Sequence, residues 1–547
     1  MDSMEIRQFN CFYNYAIGLN LTEVDLVKTS KNLLKSGFTK AICFSDLKAI
    51  YIDEDGKSQV EWIRPEGRQW DSSWNIKFSD KVPSDIVHDL AYCLELSFQE
   101  QRIEGVESKR SPLYLRAALP PVVLVKDDEE TVLFPWLKIY SDGVMILSFQ
   151  IDSSLEGMDE SDFIKSVVNI FQRYFDQIFV HGELQRLDAE LLIPEAFTSD
   201  LSLGGQKIKG WRSTRLIKKL RAESRRKLDE SLASEGREFE VGDELWLLHH
   251  IACADDEDGW ESTFDLCRSI YVNAISSLVA STSKDDRANS GELLMWQGRP
   301  SVSIMRFKDQ PDNKQDLYKK FGLSMSRFLM RSQGSTNPVE LPPDLRIFDD
   351  YALHGNRALL IWTWLRESNS PDDAWEERNT GARVFENQAR AEHFEYLNLK
   401  IARACAVACS PSSDESLIAA YKVLSSVEST LHTSSQAGEI IDAVNYLLES
   451  VGTKNLITDA KERARWHLDE RRYLNDKSRS HIDRWLAVLF GFIGSTGLAD
   501  LVIHPYLKGT FTKWSDFQLG LSAFVLALLT VGVFVFVIEG VNKLWSK

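Results

Sequence analysis

Residues 485–503 read WLAVLFGFIGSTGLADLVI, and residues 517–538 read FQLGLSAFVLALLTVGVFVFVI. A helix needs about 20 predominantly apolar residues to cross the hydrocarbon core of a bilayer, and both runs reach that length. The second carries no charge and the first carries only Asp500. Two buried core helices would share the apolarity but have no need of such uninterrupted runs. Residues 485–547 are therefore expected to form a hairpin of two transmembrane helices, joined by a short connection from His504 to Asp516.

Basic residues set the orientation. Arg471, Arg472, Lys477, Arg479 and Arg484 precede the first run, and Lys543 and Lys547 follow the second. The connection holds only Lys508 and Lys513. By the positive-inside rule both termini face the cytoplasm. Tyr506, Trp514 and Trp545 stand where interfacial aromatic residues are expected. The first 20 residues lack a basic segment followed by an apolar run, so no cleavable signal peptide is expected. The sequence thus reads as a multi-pass protein of the inner (cytoplasmic) membrane, with the lipid bilayer as its first partner.

Working toward the N-terminus, residues 458–484 contain neither Pro nor Gly and intersperse both signs of charge. Ile457, Ala460, Ala464, Leu468, Arg471, Leu474, Ser478, Ile482 and Trp485 recur every three or four residues, which is helical spacing. An isolated helix with so little to bury is marginal. A long stalk running without a break into the membrane, its weakly apolar stripe meeting other copies of the chain, is the expectation. Three further helices are expected at about 382–408, 416–433 and 438–450, which with the stalk make a helical region over 376–484.

The rest reads as an α/β cytoplasmic head, divided into an N-terminal region 1–200 and a second mixed region 201–375. Strands are expected over 41–52, 60–63, 121–126, 131–140, 144–151, 301–307 and 359–364. Asp55-Gly56 and Ser141-Asp142-Gly143 supply turns. Phe163, Val167, Phe171, Tyr174 and Ile178 predict an amphipathic helix.

The formal net charge is −17, which disfavours general nucleic-acid binding. One cluster runs the other way: Lys207, Lys209, Arg212, Arg215, Lys218, Lys219, Arg221, Arg225, Arg226 and Lys227, with Leu216, Leu220 and Leu228 as an apolar stripe. A basic amphipathic helix is either a solvated face or a site for phosphate, anionic lipid or an acidic surface. Lys207, Lys209, Arg212, Arg215, Lys218 and Lys219 are the candidates for an anionic ligand or nucleotide signal. The seven cysteines include no CxxC pair, which argues against a disulfide framework or structural zinc; Cys405 and Cys409, one turn apart, read as a packed face. Walker A, HExxH and GxGxxG motifs are absent, no calcium-loop spacing follows Asp255, and His249-His250 reads as structural. The chain is not expected to be an enzyme, and no cofactor is expected beyond a transported magnesium or other divalent cation.

The stretch ERARWHLDERRYLNDKSRSHIDRWLAVLFGFIG, together with the second apolar run, resembles the CorA-like family of two-transmembrane divalent-cation channels. The resemblance covers the architecture of roughly the last 170 residues. It implies a homo-oligomer, a pentamer in that family, with the first span lining the pore. The family's Gly-Met-Asn signature is absent: the corresponding region reads Leu501-Val502-Ile503-His504-Pro505-Tyr506.

Within the first run Thr496, Asp500 and His504 fall four residues apart, on one helical face. An ionisable residue in a span is expensive and faces water or a partner. Around an oligomer, Asp500 would make a carboxylate ring that favours cations and would be the metal ligand. Ser478, Ile482, Gly494, Thr496, Gly497, Asp500 and His504 are the candidate pore-lining residues; interfacial snorkelling of Asp500 is the alternative. The expected function is an oligomeric ion channel or transporter gated through its head. The alternatives are a membrane-depolarising effector of a bacterial anti-phage defence system, and a membrane-anchored binding protein without a pore.

Overall fold

The segment EIRQFNCFYNYAIGL forms strand β1 (Glu5–Leu19). Side chains alternate across a strand. Phe9, Cys11, Tyr13, Tyr15 and Ile17 enter an apolar core on one face, while Asn14 on the other meets polar partners. The computed structural model describes residues 4–545 except 20, 22, 38, 64, 69–73, 105–111, 152–156, 189–201, 204–205, 208–214, 216–217, 220–221, 224, 227–228, 231–235, 243, 252–261, 283–292, 334–339, 366–379, 412–413, 436 and 512. The chain divides into two compact units, Met1–Lys461 and Glu462–Lys547.

Among the described residues the first unit is built on one mixed sheet of 15 strands. After β1 come β2 (Ala41–Phe44), β3 (Lys48–Ile52), β4 (Ser58–Trp62), β5 (Tyr114–Ala118), β6 (Val122–Lys126), β7 (Glu129–Tyr140) and β8 (Val144–Ile151). β9 (Gln177–Val180), β10 (Gly236–Val241), β11 (Glu244–His250), β12 (Leu293–Phe307), β13 (Tyr351–Gly355) and β14 (Leu360–Trp364) complete the labelled set. The main order is β10-β11-β9-β6-β7-β8-β1-β12-β14-β13. β7 is long enough to pair β6 along its first half and β5 along its second, and β5 leads on to β2, β3 and β4. Only β12 and β14 run parallel; the other pairings are antiparallel among the described strands.

β12 crosses β1 over almost its whole length, with Tyr15 opposite Gly298. A Cβ at Gly298 would lie 2.8 Å from the Tyr15 Cα and would run into the Asn14 carbonyl. Because β1 and β12 pair, residues 1–200 and 201–375 share one sheet, and the expected boundary at 200 is not a break in the fold. The expected hairpins are present, with Gly56 and Gly143 in the left-handed backbone region that their turns require. The expected strand over 41–52 is two strands with a turn between them. The expected amphipathic helix is corrected. A helical turn at Glu160–Phe163, a π turn at Ile164–Val168 and a 3-10 turn at Ile170–Gln172 give way to strand, so Tyr174 and Ile178 lie outside any helix.

Helices α1 (Leu26–Ser36), α2 (Ser84–Glu104), α3 (Phe264–Leu278), α4 (Lys314–Met330) and α5 (Thr380–Cys409) surround the sheet. Leu33, Phe264, Tyr271, Phe321 and Phe328 from α1, α3 and α4 pack on the apolar face. The opposite face, under α2 and α5, is polar yet buried. Gln388, Glu392 and Glu395 recur at helical spacing along α5. Gln388 donates to the Asn14 side-chain oxygen at 2.7 Å, Arg116 pairs with Glu392 at 2.6 Å, and Arg299 pairs with Glu395 at 2.5 Å. Glu100 of α2 closes the cluster, accepting from Lys138 at 2.5 Å and from Arg116 at 3.0 Å.

Burial alone would push the Glu100 carboxyl up, but Lys138 and Arg116 outweigh it and hold it at about 2. Burial and the neighbouring Arg116 push the Lys138 ammonium down. Burial holds His393, in the same layer, at about 4, so its ring is neutral at pH 7.

The expected helices over 416–433 and 438–450 are present as α6 (Asp414–Ser425), α7 (Val427–His432) and α8 (Gly438–Ser450). Cys405 is buried and Cys409 exposed, so only one of that pair packs inward.

Removing one partner of a buried ion cluster strands the others. Glu100→Gln should therefore lower stability by about 3–5 kcal/mol, read by chemical denaturation. Because the folded-state value of Glu100 lies below its ordinary 4.5, its contribution is complete above that pH and is lost as pH falls toward about 2. The variant should lose that part of the wild type's acid sensitivity.

Candidate functional site

The second unit begins within α9 (Thr453–Leu498), followed by a π-helical turn at Ala499–Ile503, α10 (His504–Thr510) and α11 (Asp516–Trp545). Pro505 is the second residue of α10 and follows directly on the π turn, within a helical run that continues from α9 without a break. α11 starts with a reciprocal cap: the Ser515 N–H donates to Gln518 Oε1 at 3.2 Å, and the Gln518 N–H donates to Ser515 Oγ at 3.3 Å. Among the described residues one helix is long and apolar enough to cross a membrane, over Asp516–Val533 with a mean hydropathy of 1.8. The expected connection from His504 to Asp516 is corrected: its first seven residues are helical, and only residues 511–515 join the two elements.

Small side chains form the seam of this unit. Ala499, Ala523 and Ala527 are buried together, with Ile503, Leu507 and Phe524 partly buried around them. Ser495 and Leu519 are buried as well. Alanine and serine let two helix backbones approach closely, which is how helices associate when no water is available to drive them together.

The neighbouring positions face outward. Thr496, Gly497 and Asp500 are exposed, and a Cβ at Gly497 would meet nothing within 4 Å. The Thr496 hydroxyl donates to the Ile493 carbonyl at 2.6 Å, so its proton is occupied and its lone pairs point away from its own helix. The π turn alters the angular spacing after Ala499. Asp500 stays exposed, whereas His504 becomes half-buried. The three-residue row expected from α-helical spacing therefore reduces to Thr496 and Asp500. The α9 backbone passes through Ser478, Ile482 and Gly494, whose side chains lie outside the described ones.

The basic cluster falls in part among the described residues. Lys207 sits in a short strand paired with Ser202–Leu203, and Lys209 and Arg212 lie outside the described residues. Arg215, Lys218 and Lys219 are helical and exposed. Arg226 pairs with Glu230 at 3.4 Å, and Asp229 pairs with Arg186, outside the cluster, at 3.1 Å. His249 and His250 lie in β11, and residues 252–261, with the acidic run, lie outside the described ones.

No family model, no curated protein and no solved structure matches this chain. Its function must be read from its own residues. Among the described residues no group of three or more His, Cys, Asp and Glu could hold a metal ion, so Asp500 has no complete ligand set within one chain.

Two features escaped the sequence reading and had a signal in it. Ser515 and Gln518 fit the Ser-x-x-Gln capping pattern, and Ala523 and Ala527 lie one turn apart on the seam. The seam yields a direct test in a Cys253→Ser, Cys409→Ser background. Cysteines placed at Thr496 and Asp500 should react with a charged thiol reagent about tenfold or more faster than cysteines at Ser495 and Ala499, measured by mass shift. Equal rates would contradict the two-sided arrangement.

Proposed function

We propose that this chain is a membrane protein that assembles with copies of itself around a cation-conducting pore, with its sheet-based unit as a gating head in the cytoplasm. The observation that carries this reading is the sidedness at residues 495–500. Ser495 and Ala499 pack inward, and Thr496 and Asp500, one residue on, are left uncovered.

A carboxylate in a lipid-facing span is costly even near the span's end. Copies of the chain arranged with Thr496 and Asp500 inward would remove that cost by supplying a shared aqueous axis. Such a ring of carboxylates attracts cations. In this assembly residues 485–503, with their π turn, form the inner helix and α11 the outer one. Residues 458–484 serve as a stalk, its Leu474, exposed in the single chain, finding neighbours between copies. Basic residues flanking the hairpin support a cytoplasmic position for both termini.

This reading agrees with what the CorA-like resemblance implies, a homo-oligomer lined by the first span. Without the Gly-Met-Asn signature it does not extend to magnesium selectivity. The exposed Arg215, Lys218 and Lys219 favour a second reading, in which an anionic signal at the head triggers membrane depolarisation in anti-phage defence.

Flux measurements on protein reconstituted in liposomes test the pore. Asp500→Asn is expected to cut cation flux about tenfold or more while leaving assembly intact, and Asp500→Glu to retain most of it. Unchanged flux in Asp500→Asn would overturn the carboxylate ring, and the absence of flux in the wild type under any condition would leave a membrane anchor.

A further inference from the structure

The first unit holds a cleft of about 620 Å³ between α2, the β10–β11 hairpin and the strands β7 and β8. Its residues play no part in the proposed pore. Aromatic side chains form its walls: Tyr92, Phe134, Trp136, Trp246 and Phe385. The arrangement is held in place from behind. Tyr92 stacks on Trp136 with centroids 3.7 Å apart and planes 8° from parallel, and Phe385 meets Tyr92 edge-on at 4.7 Å. Gln150 pins both rings, its Oε1 accepting from the Tyr92 hydroxyl at 3.0 Å and from the Trp136 indole N–H at 3.1 Å. This fixes the direction of the Gln150 amide, and its nitrogen takes no partner among the described residues.

The mouth is acidic. Lys40 lies 2.6 Å from Asp85 and 3.7 Å from Glu244, one cation against two carboxylates. Asp89, also lining the cleft, accepts no hydrogen bond among the described residues. Exposed His88 is the other basic side chain at the mouth. The mouth therefore carries excess negative charge above an aromatic chamber. An anion is repelled there. A flat cation gains twice, from the electron-rich ring faces and from the carboxylates. Burial holds the Asp89 carboxyl up at about 6, so it is mostly ionised at pH 7 and has desolvation to recover on meeting a counter-charge.

The geometry points to a binding site for a small organic cation of the amidinium or guanidinium class, its flat body held by Trp246 and the Tyr92–Trp136 pair and its charge by Asp89.

Benzamidinium is the probe, titrated by isothermal calorimetry into the full-length protein in detergent at pH 7, with benzoate as the anion of the same shape. Expected is saturable binding of benzamidinium at one site per chain, with no binding of benzoate. Asp89→Asn and Trp246→Ala should each weaken benzamidinium by about tenfold or more, with melting temperatures checked against the wild type. No saturable binding of benzamidinium, equal binding of benzoate, or undiminished affinity in both variants would overturn the site. The comparison of the two ions uses the wild type alone and so stands whether or not a variant folds.

Discussion

A carboxylate placed in an apolar segment has to be given water, a counter-charge or a proton. Asp500 is exposed and has no ion-pair partner among the described residues. Its neighbour Ala499 is taken into the seam with Ala523 and Ala527, which turns Asp500 outward. Everything proposed about conduction depends on that sidedness. In a monomer the outward side would be lipid; in the proposed assembly it is the axis. The π turn at Ala499–Ile503 sits at the same place, where helices with functional polar groups often carry such irregularities.

The sheet-based unit handles charge in the opposite way. Glu100, Arg116, Lys138 and Glu392 are all buried, and they compensate one another within the layer between sheet and helices. Such a layer adds little net stability over apolar packing, because desolvation offsets most of the attraction. Its effect is on position. Gln388, Glu392 and Glu395 on α5 each have a defined partner on the sheet, so sliding the helix by one turn would strand several charges. α5 is therefore held at one axial setting. The aromatic cleft lies beside this layer and shares α2 with it, so a ligand there would press on the helix that carries Glu100.

Much of the architecture was legible because it rests on local rules. The Asp-Gly and Ser-Asp-Gly turns, the strands they join and the helices of residues 380–450 follow from turn chemistry and periodicity. β1 lies outside the expected strands because both of its faces are buried from Cys11 onward, with Asn14 among the buried residues, so it lacks the polar–apolar alternation of a half-exposed strand. α5 hides its burial as well: its sheet-facing stripe is Gln and Glu, which reads as a solvated face. The helix expected after residue 160 fails at Gln172 because Tyr174 and Ile178, though spaced for a helix, are claimed by strand pairing. At the candidate pore, Thr496 and Asp500 were readable as one face. His504 was not separable from them, since the spacing rule assumes an α-helix and the chain makes a π turn there. The cleft was invisible because Lys40, Asp89, Trp136, Gln150 and Trp246 come from five separate segments.

Counting chains is the most direct test of the pore. Native mass spectrometry of the full-length protein released from lipid nanodiscs gives the number of copies per particle. Expected is one discrete species of several chains, five if the CorA-like resemblance extends to stoichiometry. A single chain per particle would contradict the shared axis, because Thr496 and Asp500 would then have only lipid to face.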